Sequence, residues 1–263
     1  MKHYFRAAFR DIIDGLLATD VWMTLAWQEV RQRYRRSLLG PFWLTISTGA
    51  MLLAMGPLYG RLLGQQIGAY FPYLAIGFVV WQLLAGLTNE SCFAFTAAEG
   101  YIRNIKLPLT VHVMRVIWRN LIIFVHNFVI VLLVFAVFVG EVTWRLVEVP
   151  LGVLVILLNA IWAGLLLGLL CARFRDIPQI VASLVQVAFF LTPILWRSDM
   201  LGRNEWAAKV NPYYHFVEIV RQPLLGASAS QESWAAVAAV TIVGFSAAFL
   251  MFARFRARIP YWV

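Results

Sequence analysis

The sequence predicts an all-α polytopic membrane protein, and three observations predict it. Apolar side chains make up 62% of the 263 residues and charged ones only 13%, far from the quarter charged of ordinary soluble domains. Six apolar stretches, at about 41–62, 71–97, 113–139, 150–171, 177–196 and 233–253, can each cross ~30 Å of hydrocarbon as helix, which takes about 20 residues. The basic residues are also unevenly shared. With the amino terminus inside, only Arg61, Arg145, Arg197, Arg203, Lys209 and Arg221 of the 22 Lys and Arg fall at outer positions, which predicts both termini inside. The net charge of +9 therefore sets topology, and nucleic acid is excluded as a partner.

The chain divides into a cytoplasmic segment at 1–40, a transmembrane domain at 41–253 and a cytoplasmic tail at 254–263. No apolar run followed by a small-residue cleavage site occurs in the first forty residues, so the mature chain is expected to start at Met1. A helix beginning near Thr19 or Asp20 places Met23, Trp27, Val30, Tyr34 and Leu38 at spacings of three and four, with Thr24, Gln28, Arg31, Gln32 and Arg35 opposite. Such a helix lies in the headgroup plane. Gly40-Pro41 breaks it, and Pro41 can open the first span. Its arginines form either a collar that meets phosphates at the mouth of a path or a plain juxtamembrane anchor.

The second and third stretches exceed the bilayer and are expected to tilt. Between them Ala98 to His112, AEGYIRNIKLPLTVH, predicts a short helix across the inside face. Arg103, Asn104 and Lys106 point away from the bilayer, Ile102, Ile105 and Leu107 lie against it, and Pro108 ends the element. The second inside loop, ARFRDIPQ at Ala172 to Gln179, is a turn with Asp176 as cap and Pro178 at the next helix start. Polar residues inside spans need partners. Asn89, Glu90, His126, Asn127 and Asn159 read either as interhelical hydrogen bonds or as a path lining. Gln179, Ser183 and Gln186 share one helical face and are the better lumen candidates. Gly164 and Gly168 make a GxxxG step that permits close packing.

The outer segment, Arg197 to Glu232, predicts a helical hairpin dipping back into the outer leaflet. A short amphipathic piece at 196–210 precedes a helix that starts at Asn211-Pro212 and ends near Gly226. It serves as an outer gate or as a cap on the bundle.

Catalytic chemistry is missing. The lysines at 2, 106 and 209 follow Met, Ile and Ala, so no P-loop exists, and no HExxH, GxSxG or paired-carboxylate arrangement appears. Cys92 and Cys171 have no companion at metal spacing and support neither a disulfide nor a zinc site. The chain is expected to be no enzyme and to hold no cofactor or metal. Energy for transport would enter through another polypeptide, and a bulky substrate would call for a symmetric dimer, because six helices make a narrow bundle.

Four motifs in order then carry a resemblance: RYRRSLLGPFW at Arg33 to Trp43, YIRNIKLPL at Tyr101 to Leu109, RFRDIPQIV…FFLTPILW at Arg173 to Trp196, and NPYYHFVEIVRQPLLG at Asn211 to Gly226. Over nearly its whole length the chain resembles the membrane subunit of polysaccharide-exporting ABC transporters, the type-2 permeases that export lipid-linked O-antigen and related glycans. The resemblance implies a homodimer in the bacterial inner membrane, two copies of a separate ABC ATPase that binds ATP and Mg, and export of an undecaprenyl-pyrophosphate-linked glycan. It makes residues 21–38 an interface helix, 98–107 the coupling element and 197–225 a periplasmic gate. Path and mouth candidates are then Arg31, Arg33, Tyr34, Arg35, Arg36, Trp43, Trp81, Trp118, Gln179, Ser183 and Gln186. ATPase coupling falls to Tyr101, Arg103, Asn104, Lys106, Arg173, Arg175 and Asp176, and the gate to Arg197, Asn211, Pro212, Tyr213 and Tyr214. Export of teichoic acid or of a small hydrophobic compound is the alternative within the superfamily, and a membrane scaffold or enzyme the alternative outside it.

Overall fold

A computed structural model describes residues 2–33, 35, 40 and 42–263, with Lys2 and His3 described by backbone only. It is all helical, with no strand among the described residues. The helices are α1 (Lys2–Leu17), α2 (Thr19–Arg33), α3 (Phe42–Leu62), α4 (Ile67–Ser91), α5 (Glu99–Asn104), α6 (Thr110–Val134), α7 (Glu148–Arg173), α8 (Ile177–Leu191), α9 (Trp206–Lys209), α10 (Pro212–Leu224), α11 (Gln231–Phe255) and α12 (Ile259–Trp262). One end of the bundle carries α1, α2, α5 and α12; it is called the basic end below. The other carries α9.

α4 is the central post. Every residue from Tyr70 to Trp81 is buried, because α4 is apolar on all sides and surrounded by α3, α6, α7, α8 and α10. The larger apolar core joins α4, α6, α7, α10 and α11, and a second joins α3, α4, α8 and the segment after α8. α7 approaches its neighbours through glycines. Gly164 faces Val113 of α6, and Gly168 faces Phe95, so the GxxxG step lies where α7 meets two other elements. At Gly152 a Cβ would come within 2.8 Å of the Ile219 carbonyl oxygen of α10.

Among the described residues, five helical stretches are long and apolar enough to cross a membrane: Phe42–Leu62, Ile67–Ser91, Thr110–Val139, Trp144–Arg173 and Gln231–Trp262. The sequence predicts a sixth at 177–196, but α8 holds only fifteen residues, about 22 Å of helix. It stops at Thr192, whose backbone is extended (φ −86°, ψ 132°), as a residue before proline favours. The carbonyls freed by that break find donors elsewhere. Tyr70 Oη donates to Leu195 O (2.6 Å), Tyr73 Oη to Pro193 O (2.9 Å) and to Trp196 O (3.2 Å), and Arg221 Nη1 to Pro193 O (2.7 Å).

Other boundaries shift as well. The second stretch stops being regular α-helix at Ser91 rather than near residue 97, and α6 begins at Thr110, ahead of the expected 113. The described residues of the segment 1–40 form not one helix but two. α1 is held by Asp11, whose carboxylate accepts from Leu109 N (3.2 Å) and Thr110 N (3.1 Å) and so caps α6 from another element. Gly15 makes that approach possible, since a Cβ there would meet Thr110 at 2.5 Å.

The glycine contacts give a paired test. Gly152→Ala is expected to lose about 1–3 kcal/mol through overpacking of α7 on α10. Gly68→Ala, which opens onto free space, should be silent or slightly stabilising. Thermal unfolding of the two detergent-solubilised variants measures the difference; equal midpoints would contradict the packing described.

Candidate functional site

At the basic end, α2 lies on α6, and its buried face is Trp22, Ala26 and Val30. This is one position away from the expected Met23, Trp27 and Val30 stripe, and Trp27 is 57% exposed. The reason is ionic. Glu29, two turns after Trp22 and so on the same side of the helix, reaches Arg115 Nη1 at 2.7 Å and also pairs with Arg119. Arg119 Nη2 in turn meets Glu90 Oε2 at 2.8 Å, and Asn120 Nδ2 donates to the same oxygen at 2.6 Å. The Arg115 side chain is 3% exposed, so the pair with Glu29 holds the register of α2: breaking it would strand a buried charge. Trp118 packs edge-on against Trp22 at 5.5 Å and belongs to this seam.

Of the arginines expected at a path mouth, Arg31, Arg33 and Arg35 are all exposed, and Arg33 also pairs with Glu90 at 3.5 Å. Tyr34 and Arg36 lie outside the described residues, as do Leu38 and Pro41.

The expected coupling helix exists as α5 but is shorter than predicted. It ends at Asn104, ahead of Pro108, and Ile105 is extended and half exposed. Ile102 does pack against the core. Arg103 pairs with Glu99 at 3.0 Å and donates to the Val263 carbonyl, while Asn104 Nδ2 donates to Gly100 O (2.8 Å) of its own helix. Tyr101 stands 6.4 Å from the His112 ring, and Lys106 is exposed. From the other loop, the Arg173 guanidinium lies 5.6 Å above the Trp262 ring. The two groups of coupling candidates therefore meet across α12. Arg175 and Asp176 are exposed in the turn, and the Asp176 side chain makes no cap hydrogen bond.

Gln179, Ser183 and Gln186 are all exposed on α8, and Ser183 Oγ donates to Gln179 O (3.1 Å). Trp43 is exposed on α3. Trp81 is not: it is buried, with ring contacts to Phe189 (5.6 Å) and Tyr213 (5.2 Å), and acts in packing rather than along a surface. Two polar residues of the spans are satisfied between helices. Asn127 Nδ2 donates to Gln82 Oε1 (2.8 Å), and Asn159 Nδ2 to Thr241 Oγ1 (2.9 Å). His126 instead bonds its own helix at Ile122 O (2.8 Å).

α10, expected in a hairpin at the outer leaflet, is part of the core: Tyr214 through Arg221 are all buried. Asn211 caps it, accepting from Tyr213 N (3.0 Å) and donating to Thr192 Oγ1 (2.8 Å). Tyr213 Oη lies 3.3 Å from Thr88 Oγ1 of α4, and Pro212 is exposed. Arg197 pairs with Asp199 (3.0 Å), and Lys209 with Glu232 (3.1 Å). The Glu232 hydrogen bond and charge raise the pKa of the exposed Lys209 ammonium.

Sequence reasoning missed the centre of this region. Arg221 is 1% exposed, pairs with Glu218, and lies 3.7 Å above the Tyr73 ring. Glu218 and Arg221 at (i, i+3) beside an apolar face were the available signal. It missed Asp11 too; Cys92 and Cys171 are free buried thiols, and Cys92 Sγ donates to Thr88 O (3.7 Å).

Comparison with known proteins adds three findings. Residues 20–225 match the ABC-2 type transporter family. The chain is 25% identical over 231 residues to the O-antigen export system permease protein RfbA of Myxococcus xanthus, covering 84% of this chain and 86% of that protein. It is 22% identical over 196 residues to a protein of the same name from Klebsiella pneumoniae, covering 73% and 75%.

Two substitutions test the buried pairs. Glu218→Ala leaves Arg221 buried without its counter-charge and is expected to cost about 3–5 kcal/mol, whereas exchanging both for apolar residues of similar size should cost far less. Thermal unfolding of single and double variants would decide; additive losses would refute the pairing. Glu29→Gln should release α2 from α6, read as faster proteolysis within residues 19–33 with the rest of the bundle intact.

Proposed function

Because the chain belongs to the ABC-2 type transporter family, we propose that this multi-pass membrane protein is the permease subunit of an ATP-driven exporter of lipid-linked O-antigen or a related polysaccharide. The observation that carries the reading is the match to two O-antigen export permeases along most of both chains. In this reading the basic end faces the cytoplasm of a bacterial inner membrane, with both termini there, in keeping with the distribution of Lys and Arg.

ATP and Mg belong to a separate ATPase subunit, in two copies, and this chain carries no cofactor and no catalytic residue. The stroke is received by Tyr101, Arg103 and Lys106, with Arg173, Arg175 and Asp176 beside them across α12. α5 connects through the loop at 105–109 to α6, and α6 is tied by Arg115 and Arg119 to α2. A displacement of α5 would therefore carry α2 with it.

The substrate path lies between two copies of the chain. Gln179, Ser183 and Gln186 on the outward face of α8, with Trp43 on α3, offer hydrogen-bonding and aromatic groups that a sugar chain can engage weakly and leave again. Arg31, Arg35 and Arg36 receive the pyrophosphate, since guanidinium pairs with phosphate oxygens two at a time. The segment 197–225 closes the opposite end, its movable part being Arg197 to Val210, since α10 is buried. Membrane lipids surround the remaining faces.

Replacing Arg35 and Arg36 with Ala is expected to abolish surface polysaccharide while membrane insertion stays normal; undiminished surface glycan would remove the pyrophosphate role. Deleting the chain should make lipid-linked glycan accumulate inside the cell, and accumulation of polyol phosphate would point instead to teichoic-acid export. Reconstituted alone in vesicles, the chain should hydrolyse no ATP and move no glycolipid; either activity without a partner would overturn the reading.

A further inference from the structure

Beside α5 the basic end carries a cleft of about 630 Å³, whose charged lining shares only Lys106 with the proposed coupling residues. Its charged walls come from three separate elements: Arg6, Arg10 and Asp14 from α1, Lys106 from the loop before α6, and Arg256 from the turn after α11, with Asp11 also lining it. Asp11 is already committed, accepting from Leu109 N, from Thr110 N and Oγ1 (3.0 Å), and from Arg256 Nη2 (2.7 Å). Arg6, Arg10 and Lys106 form no ion pair among the described residues, and the Arg256 Nε is buried without a partner. Three uncommitted cations thus face one uncommitted carboxylate, Asp14. The cleft is built for an anion.

The outer surface of α1 shows where that anion comes from. Phe9, Ile13 and Leu17 follow one another at four-residue spacing and are 60%, 38% and 73% exposed, in a stripe flanked by Arg6 and Arg10. Cations at the edge of an exposed apolar stripe characterise a helix that lies at headgroup depth with its apolar side among acyl chains. A cleft opening beside such a helix meets lipid phosphates before anything else. An acidic protein segment would need no apolar stripe next to its binding groups.

We propose that the cleft binds the phosphate of an anionic membrane phospholipid, whose acyl chains run along Phe9, Ile13 and Leu17. The headgroup would bridge α1, the loop carrying Lys106 and the turn after α11, so the loop that leads from α5 into α6 is braced by lipid. This inference rests on the chain's being a membrane protein and not on which cargo it exports.

The test uses the full-length chain, purified in detergent, stripped of lipid and titrated with phosphatidylglycerol or phosphatidylethanolamine, with bound lipid counted by native mass spectrometry. One phosphatidylglycerol should bind in preference to phosphatidylethanolamine. Arg6→Gln with Arg10→Gln should weaken it about thirtyfold, the loss expected for two basic groups at an anionic lipid surface. Arg6→Lys with Arg10→Lys should retain most of the binding, and Arg203→Gln at the other end should change nothing. Unaltered phosphatidylglycerol binding by the glutamine variant, or no preference between the two lipids, would overturn the proposal. So would a glutamine variant that keeps its lipid but no longer co-purifies with an ATPase, since the cleft would then be a protein dock.

Discussion

The ionic seam between α2, α4 and α6 is the interaction on which the basic end depends. Glu29 alone spans two arginines, and one of those, Arg119, is shared with Glu90. Charges placed beside apolar spans are expensive unless each finds its counterpart, so the three helices are compelled into one register. Everything nearby inherits that register: Trp22 against Trp118, the orientation of α2 and the outward direction of Arg31. The α2 helix is therefore positioned less by its apolar stripe than by one carboxylate.

This explains how much of the fold was legible in the sequence. The all-helical class, five of the six apolar crossings and the helix start at Asn211-Pro212 follow from local signals, namely run length, composition and cap chemistry. What periodicity could not provide was the choice between two faces of α2 one residue apart, because both offer aromatic residues and only Glu29 distinguishes them. The break in α8 was similarly hidden. Thr192-Pro193 is a visible stop, but the apolar run continues to Trp196, and nothing local says that Tyr70, Tyr73 and Arg221 will take the exposed carbonyls.

The candidate site follows the same division. Residues on the surface of regular helices, such as Gln179, Ser183 and Gln186, stand on one exposed face as their spacing suggested. Other candidates make contacts that spacing does not reveal. Trp81 and Trp118 are packing residues, Arg33 pairs with Glu90, and Asn104 bonds its own helix. The segment 197–225 combines two kinds of structure that the sequence runs together, an exposed stretch of short turns and a helix as buried as any in the bundle.

α8 has one further consequence. Its fifteen residues cover about 22 Å, several ångströms short of the usual hydrocarbon thickness. Lipid in contact with it must compress, draw polar side chains toward the midplane, or be displaced by protein, each at a fraction of a kcal/mol per ångström of mismatch. A membrane-embedded helix of this length would thin the bilayer beside the face that carries Gln179, Ser183 and Gln186.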